Sequence, residues 1–208
     1  MKYQKELQKF ASYVRLTWNR RLTESMGGNM SIRINNKVYL TPTTFLKHFF
    51  TAEDIIVTDM EGNQLSGKHQ SSSEIKMHLS LYQTRKDIGS VFHAHPRYGL
   101  LCVINKIKID THILPETISM LGNIAYLPYN QPVTGKFAQS FVNDARKGCN
   151  VFMLENHGVT TCGDTIETAF ARLETLETCA YVAIIQKLMR KNPNVLSPDE
   201  INNIINMK

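Results

Sequence analysis

Cysteine is scarce in this 208-residue chain, and its positions offer no structural zinc site. Cys102, Cys149, Cys162 and Cys179 lie far apart, without a Cys-x-x-Cys pair, and mostly in apolar stretches. This spacing excludes a disulfide-rich secreted scaffold and favours reduced core thiols in a cytoplasmic protein. Residues 1–6 have no apolar segment behind their charges, so we expect no signal peptide.

Long apolar runs and clusters of one charge sign are missing as well. No segment reaches the roughly 20 consecutive apolar residues of a membrane helix, so we expect no membrane partner. Hydrophobic residues make up 42% of the chain and charged residues 20%, which is ordinary globular usage and argues against disorder. The net charge of +6 comes from scattered lysines and arginines. Without a basic block interleaved with aromatics, we expect no nucleic-acid partner.

The spacing of apolar residues predicts one domain over 1–208 that mixes helices with a sheet. Helical periodicity is found at 5–22, 134–147 and 164–190. Asp164 and Glu167 have the spacing of a capping box at the start of the last of these helices. Short or alternating apolar runs predict strands at 30–34, 38–40, 55–57, 89–94, 151–154 and 159–162. This order favours a mainly antiparallel sheet with flanking helices, of α/β or α+β class.

Histidines provide the first sign of chemistry. His93 and His95 end an apolar run, and residues two apart on a strand point to the same face. His157 lies in a turn-like break between two predicted strands, and Glu74 follows three serines. Three imidazoles and one carboxylate form a zinc-type ligand set, although a bare His-x-His pair is more often a core feature. His78, which shares an apolar helix face, we interpret as a core residue.

Small polar residues accompany the histidines. Gly28, preceded by another glycine, permits close backbone approach and unusual dihedral angles. Asn29, Thr43, Ser72 and Ser73 are short hydrogen-bonding side chains, and the two serines are expected at a helix N-terminus, where anions are favoured. Each of these residues, taken alone, also fits a turn or a helix cap.

Five motifs in sequence order carry a resemblance to a known family. They are Gly28-Asn29-Met30-Ser31, Thr41-Pro42-Thr43, Ser71-Ser72-Ser73-Glu74, His93-Ala94-His95-Pro96 and Glu155-Asn156-His157-Gly158. Together they resemble the class II aldolase/adducin-like family, nearest to its L-fuculose-phosphate aldolases, over about residues 5–190. The resemblance implies a three-layer α/β/α fold of α/β class with a central, mainly antiparallel sheet. It also implies a homotetramer with active sites between subunits.

The resemblance assigns roles to individual positions. One Zn²⁺ per subunit would be bound by Glu74, His93, His95 and His157. The substrate phosphate would be bound at positions that match the family motifs: Gly28, Asn29, Thr43, Thr44, Ser72 and Ser73. The family often has glycine where this chain has Thr44, so the phosphate cradle is expected to be narrower or reoriented.

The implied activity is retro-aldol cleavage of a ketose 1-phosphate such as L-fuculose 1-phosphate. The products are dihydroxyacetone phosphate and a short aldehyde, formed through an enediolate on the metal. Glu74 would ligate the metal in the empty enzyme and then shuttle a proton. Glu116 is the candidate for a second acid–base group, which relatives often take from a neighbouring subunit. Some relatives use a tyrosine in the C-terminal tail instead, and this chain has none after Tyr181.

Three alternatives use the same scaffold. A pentulose-phosphate 4-epimerase would also use zinc and a retro-aldol step, but such relatives tend to carry Asp at the position of Glu74. Glu116 points the other way, because epimerases favour a carboxylate in that region. A methylthioribulose-1-phosphate dehydratase is the second alternative. The third is a non-catalytic adducin-like interaction module, which the complete ligand set disfavours.

Overall fold

The computed structural model describes residues 3–207, along which helices and strands alternate. The helices are α1 (Gln4–Asn19), α2 (Ile75–Thr84), α3 (Arg97–Ile104), α4 (Pro115–Leu121), α5 (Gly135–Ser140), α6 (Val142–Arg146), α7 (Ile166–Met189) and α8 (Pro198–Asn206). The strands are β1 (Asn29–Ile34), β2 (Lys37–Leu40), β3 (Ile56–Thr58), β4 (Gln64–Ser66), β5 (Ser90–Ala94), β6 (Ile124–Leu127), β7 (Val151–Leu154) and β8 (Gly158–Gly163).

The strands form one sheet in the order β4-β3-β2-β1-β5-β8-β7-β6. Only the β6–β7 pair is parallel within the described residues, so the expectation of a mainly antiparallel sheet is confirmed. In the centre, Asn29 of β1 lies opposite His93 of β5, and Ala94 lies opposite Val159 of β8. The start of β1, the end of β5 and the start of β8 therefore meet at the same end of these central strands.

Helices cover both faces of the sheet, because the side chains of each strand alternate between two cores. On one face, α1, α3, α4 and α7 enclose a core that includes Phe92 of β5. On the other face, α2, α5 and α6 enclose a core that includes Val91. Helix α8 packs on α4. The expected three-layer α/β/α architecture is confirmed.

Several expected boundaries were wrong. The helix expected at 134–147 is divided at Phe141 into α5 and α6. Helix α7 is capped by Thr165, not by Asp164, because the Thr165 backbone is extended and its side chain accepts a hydrogen bond from the Thr168 N–H. Helix α4, whose seven residues are too few to show a helical period, was not predicted, and neither was the edge strand β6.

The four cysteines are free and buried, as expected of core thiols. Burial raises the pKa of Cys102 and of Cys179 to about 11, and of Cys162 to about 12. A thiol with such a pKa carries little thiolate at neutral pH and is a poor nucleophile. No helix within residues 3–207 combines the length and the apolar character that crossing a membrane requires.

Candidate active site

The structure brings the three motif histidines together at one end of the central strands of the sheet. His93 is the last residue but one of β5, His95 directly follows the strand, and His157 lies in the turn between β7 and β8. One ring nitrogen from each histidine can be chosen so that all three lie within 4.8 Å of one another. The cluster therefore has the spacing of a set of metal ligands.

Glu74 approaches the histidines from the helical layer. It is the N-cap residue of α2 and is 8% exposed. Its Oε2 lies 3.4 Å from His93 Nε2, and its Oε1 lies 3.4 Å from His157 Nε2. Two ligands at about 2.1 Å from a tetrahedral ion are separated by about 3.4 Å, so both distances suit a shared metal ion.

The donor atoms of this cluster support the same interpretation. Glu74 Oε1, His93 Nε2 and His95 Nε2 are buried, and none has a hydrogen-bond partner within residues 3–207. Buried polar atoms without partners are costly, and a bound cation would satisfy all three at once. Burial, with His95 and His157 nearby, holds the pKa of His93 well below its usual value. Burial also lowers the pKa of His157, and neutral imidazole is the form that binds metals.

Two of the imidazoles are oriented by hydrogen bonds at Nδ1. His93 Nδ1 lies 3.0 Å from the carbonyl oxygen of Val159. A carbonyl only accepts, so Nδ1 carries the proton and Nε2 keeps its lone pair for a metal. His95 Nδ1 lies 2.9 Å from Oε2 of Glu24, a residue that the sequence motifs did not indicate.

A chain of buried hydrogen bonds ends on Glu74. Glu74 Oε2 accepts from Asn29 Nδ2 at 2.7 Å, which turns the Asn29 carbonyl oxygen toward His78 Nε2 at 2.6 Å. His78 Nε2 must then donate, so His78 Nδ1 accepts from Ser31 Oγ, and Ser31 Oγ accepts from the Tyr82 hydroxyl, each at 2.7 Å. Burial lowers the pKa of His78 to about 3, which keeps it neutral as this chain requires.

His78 is therefore buried, as expected of a core residue, but its contacts are polar. It fixes the amide of Asn29, and Asn29 in turn holds Glu74. This use of Asn29 leaves one of its two Nδ2 hydrogens for a phosphate. One signal for this link is present in the sequence, because Glu74 and His78 are four residues apart, a spacing that places side chains next to each other on one helix face.

Of the positions expected to bind phosphate, several lie on two neighbouring loops. An isolated β-bridge between Pro42 and Ser71 joins the loop that carries Thr43 to the loop that carries Ser72 and Ser73. Ser72 is buried, and its Oγ accepts from the Glu74 N–H at 3.3 Å, whereas Ser73 is exposed. Candidate phosphate donors and the candidate metal ligand Glu74 thus share one segment of chain.

Thr44 and Gly28 both have left-handed backbones. Thr44 has φ +48°, the region that favours glycine, so the chain keeps a glycine-like conformation despite its side chain. Gly28 has φ +67°, and a Cβ there would lie 2.5 Å from the His93 carbonyl oxygen. Its glycine is explained by close packing on β5 as well as by any approach of phosphate.

Lys47 was not indicated by the sequence, since lysine is usually exposed. It is fully buried, and its Nζ donates to the carbonyl oxygens of Phe45 at 3.1 Å and Met26 at 3.4 Å. Burial lowers the pKa of Lys47 to about 8, and the charge of Glu24 partly opposes this shift. The side chain ties the segment before Gly28 to the segment after Thr44.

Glu116, the expected second acid–base group, does not lie with the histidine cluster. It is exposed on α4, which packs mainly against α7 and α8. Glu74 caps α2, which lies on the opposite face of the sheet. No hydrogen bond or ion pair within residues 3–207 links Glu116 to the histidines.

Comparison with known proteins identifies the family. The model of the Class II Aldolase and Adducin N-terminal domain matches residues 8–184. The chain belongs to this family. Both the expected family and the expected fold are thereby confirmed.

Three class II aldolase relatives illustrate the range of names. An L-fuculose phosphate aldolase of Methanococcus maripaludis is 33% identical over 187 residues, covering 89% of this chain and 99% of that protein. A 3-oxo-tetronate 4-phosphate decarboxylase of Haemophilus influenzae is also 33% identical, covering 78% of this chain and 79% of that protein. A solved L-fuculose 1-phosphate aldolase matches with a TM-score of 0.87 and 27% identity, covering 98% of this chain and 95% of that one.

Proposed function

We propose that this class II aldolase family member cleaves a ketose 1-phosphate of the L-fuculose 1-phosphate type to dihydroxyacetone phosphate and a short aldehyde. One observation carries the proposal. Glu74 Oε1, His93 Nε2 and His95 Nε2 are buried, have no hydrogen-bond partner within residues 3–207, and lie near the loop that carries Ser72, which a β-bridge joins to the loop that carries Thr43. A cation site next to an anion site suits a substrate with a phosphate near a carbonyl group.

The metal proposed is Zn²⁺, one per subunit, held by His93, His95, His157 and Glu74. Three imidazoles and a carboxylate form a donor set that suits zinc in a tetrahedral site. When bound, zinc supplies a Lewis acid that stabilises negative charge on substrate oxygen atoms after the carbon–carbon bond breaks.

Glu74 would move the proton at the substrate carbon next to the carbonyl. Its Oε2 is held by Asn29, whereas Oε1 has no hydrogen-bond partner within the described chain, so Oε1 is the atom that would take and return the proton. The hydrogen-bond chain through His78 would keep the carboxylate aimed at one position.

The substrate phosphate would be bound by the two neighbouring loops at the N-terminus of α2. Ser72, Ser73 and Thr43 would donate hydroxyl hydrogens, and Asn29 would donate its remaining amide hydrogen. Gly28 and Thr44 would present backbone N–H groups. The free N–H groups of the helix end would add a favourable dipole.

A second acid–base group is needed at the oxygen of the departing aldehyde. Glu116 remains our proposal for it, supplied from a neighbouring subunit of a homotetramer. Glu116 is exposed on α4, on the sheet face opposite to Glu74. This placement supports a role in the active site of a neighbouring subunit.

Decarboxylation of a 3-oxo sugar-acid phosphate is the second candidate. A relative of the same identity, 33%, carries that name. Both reactions break a carbon–carbon bond beside a carbonyl and leave negative charge there, so the same residues could serve either. The two differ in the departing group, which is an aldehyde in one case and carbon dioxide in the other.

The deciding experiment offers both substrates to the zinc-loaded protein. L-fuculose 1-phosphate would be supplied with glycerol-phosphate dehydrogenase, so that dihydroxyacetone phosphate consumes NADH. A parallel reaction with 3-oxo-tetronate 4-phosphate would measure released carbon dioxide. NADH consumption that disappears in Glu74→Gln supports the aldolase. Carbon dioxide release from 3-oxo-tetronate 4-phosphate, with no NADH consumption from L-fuculose 1-phosphate, would replace it with the decarboxylase.

A further inference from the structure

Glu24 contacts the candidate metal site from outside the expected ligand set. Its Oε2 lies 2.9 Å from His95 Nδ1, while His95 Nε2 faces the cluster, buried and without a hydrogen-bond partner in the described chain. An ionised carboxylate can accept hydrogen bonds but cannot donate them. This contact therefore places the proton on His95 Nδ1 and the lone pair on His95 Nε2. The lone pair is what a metal ion binds.

Gly27 makes room for this pair. A Cβ at Gly27 would collide with Glu24 Oε2 and would lie 2.9 Å from His95 Nδ1. The Gly27 backbone is outside the left-handed region, so an alanine there would be unstrained by its own φ. The absence of a side chain is therefore explained by the space between Glu24 and His95, unlike Gly28, whose φ is +67°.

The three metal-facing imidazoles are supported unequally. His93 Nδ1 bonds a neutral carbonyl of β8 at 3.0 Å. His157 Nδ1 is buried without a hydrogen-bond partner in the part of the chain that is described. Only His95, among these three, has a charged group within 3 Å of its outer nitrogen. A carboxylate behind a ligand imidazole increases the basicity of the ligand and fixes its orientation.

We propose that Glu24 is a positioning residue that orients His95 and strengthens its bond to a divalent cation, and that Gly27 is glycine so that this contact can form. The inference rests on the proposed function in one respect, which is that His95 binds the metal. It adds two residues that the family motifs and the ligand set do not include.

The exposure of Glu24 determines how strongly its loss should weaken Zn²⁺ binding. Loss of such an outer partner weakens metal binding about 10–100-fold. The Glu24 side chain is 58% exposed and borders an open cavity of about 570 Å³, so water screens its charge. We therefore expect Glu24→Gln to weaken Zn²⁺ binding about tenfold, at the lower end of that range.

The test measures the dissociation constant of Zn²⁺ by competition with a chromophoric chelator, without any substrate. Glu174→Gln is the matched control, because Glu174 also accepts a short bond, 2.6 Å from Arg20 Nε, but lies on α7 away from the cluster. The proposal predicts about tenfold weaker binding in Glu24→Gln and unchanged binding in Glu174→Gln. Equal dissociation constants for wild type and Glu24→Gln would overturn it.

Gly27→Ala provides the second measurement. It should weaken Zn²⁺ binding by displacing Glu24 from His95, and the double variant Glu24→Gln/Gly27→Ala should bind about as well as the weaker single variant. Losses that multiply in the double variant would show that Gly27 acts independently of Glu24 and would overturn its part of the proposal.

Failure of the proposed function gives a different result. If wild type and His95→Ala bound Zn²⁺ equally, His95 would not be a ligand, and the metal site itself would be wrong. If His95→Ala lost binding while Glu24→Gln kept it, only the role of Glu24 would fall.

Discussion

Asn29 and Glu74 are joined by a buried hydrogen bond of 2.7 Å between Nδ2 and Oε2. Asn29 was expected to bind phosphate, and in the structure it also holds the carboxylate that would perform the proton transfer. One residue thereby links the two parts of the site. A ligand that pulls on Asn29 would also act on Glu74, which connects phosphate binding to the position of the carboxylate.

The first prediction concerns His78. In His78→Phe, Asn29 Oδ1 and Ser31 Oγ each lose a partner, which should cost about 1–3 kcal/mol of unfolding free energy per group. The aim of Glu74 should also suffer, so kcat should fall, and KM for the sugar phosphate should rise because the Asn29 amide that would donate to the phosphate is no longer fixed. Urea unfolding and steady-state kinetics measure both effects. His112→Phe, on the surface, is the control, and a kcat equal to wild type in His78→Phe would contradict the prediction.

The second prediction separates metal binding from proton transfer. Glu74→Gln keeps an oxygen that can accept from Asn29 but can no longer hold a proton. We expect near-stoichiometric zinc by elemental analysis and a kcat lowered about 10²–10⁴-fold. Turnover at the wild-type rate would remove Glu74 from the mechanism.

The third prediction concerns removal of the metal. Without a cation, Glu74 Oε1 and His93 Nε2 stay buried with no hydrogen-bond partner in the described part of the chain, so zinc should stabilise the folded chain. Added zinc at about 100 times its dissociation constant should contribute about 2.7 kcal/mol and raise Tm. Calorimetry with and without a chelator tests this. The gain should vanish in His93→Ala, whose bound zinc should also be lost; an undiminished gain there would place the ion elsewhere.

The fourth prediction uses the pKa of Lys47, which burial lowers to about 8. The unfolded chain holds this proton up to about pH 10.5, so between these values the unfolded state binds more protons and the wild type gains stability as pH rises. Compared with Lys47→Met, the wild type should gain about 3 kcal/mol across this window. Ionisation of the buried thiols cancels in the comparison. Urea unfolding of both proteins at several pH values measures the difference, which would stay constant if Lys47 had an ordinary pKa.

The fifth prediction concerns Thr44, whose φ of +48° favours glycine. Thr44→Gly should stabilise the fold by up to about 1 kcal/mol, since relief of the left-handed strain exceeds the added entropy of the unfolded chain. Thr44→Ala keeps a Cβ and should show no gain, so it is the matched control. If Thr44 shapes the phosphate cradle, KM should change in Thr44→Gly as well.

Short periods of apolar residues predicted the helices and the mainly antiparallel sheet, whereas the three-layer architecture and the full ligand set followed from the resemblance to the family. The two-residue spacing of His93 and His95 predicted that their side chains lie close together, and their ring centroids are 5.2 Å apart. What the sequence could not show are contacts set by tertiary approach. The pairing of Glu24 with His95 spans 71 positions, and the Ser31–His78 bond spans 47. No local pattern signals either.

The glycines also show that the sequence alone does not reveal tertiary contacts. A glycine in the sequence indicates a need for space or for an unusual φ, but it does not say which. Gly28 has a left-handed φ, whereas Gly27 and Gly158 lack a side chain because the imidazole of His95 lies close to both. A Cβ at Gly158 would lie 2.6 Å from His95 Cδ2. Their partners become visible only when β1, β5 and β8 are aligned.

The same alignment determines the order in which the active protein is assembled. The candidate ligands come from α2, β5 and the β7–β8 turn, which are brought together by pairings between strands distant in sequence. Such non-local pairings form late and slowly. The unfolded chain thus offers the ion only the isolated His93–His95 pair, and metal capture must follow folding instead of nucleating it. Zinc added before refolding should leave the folding rate unchanged and slow only the unfolding rate.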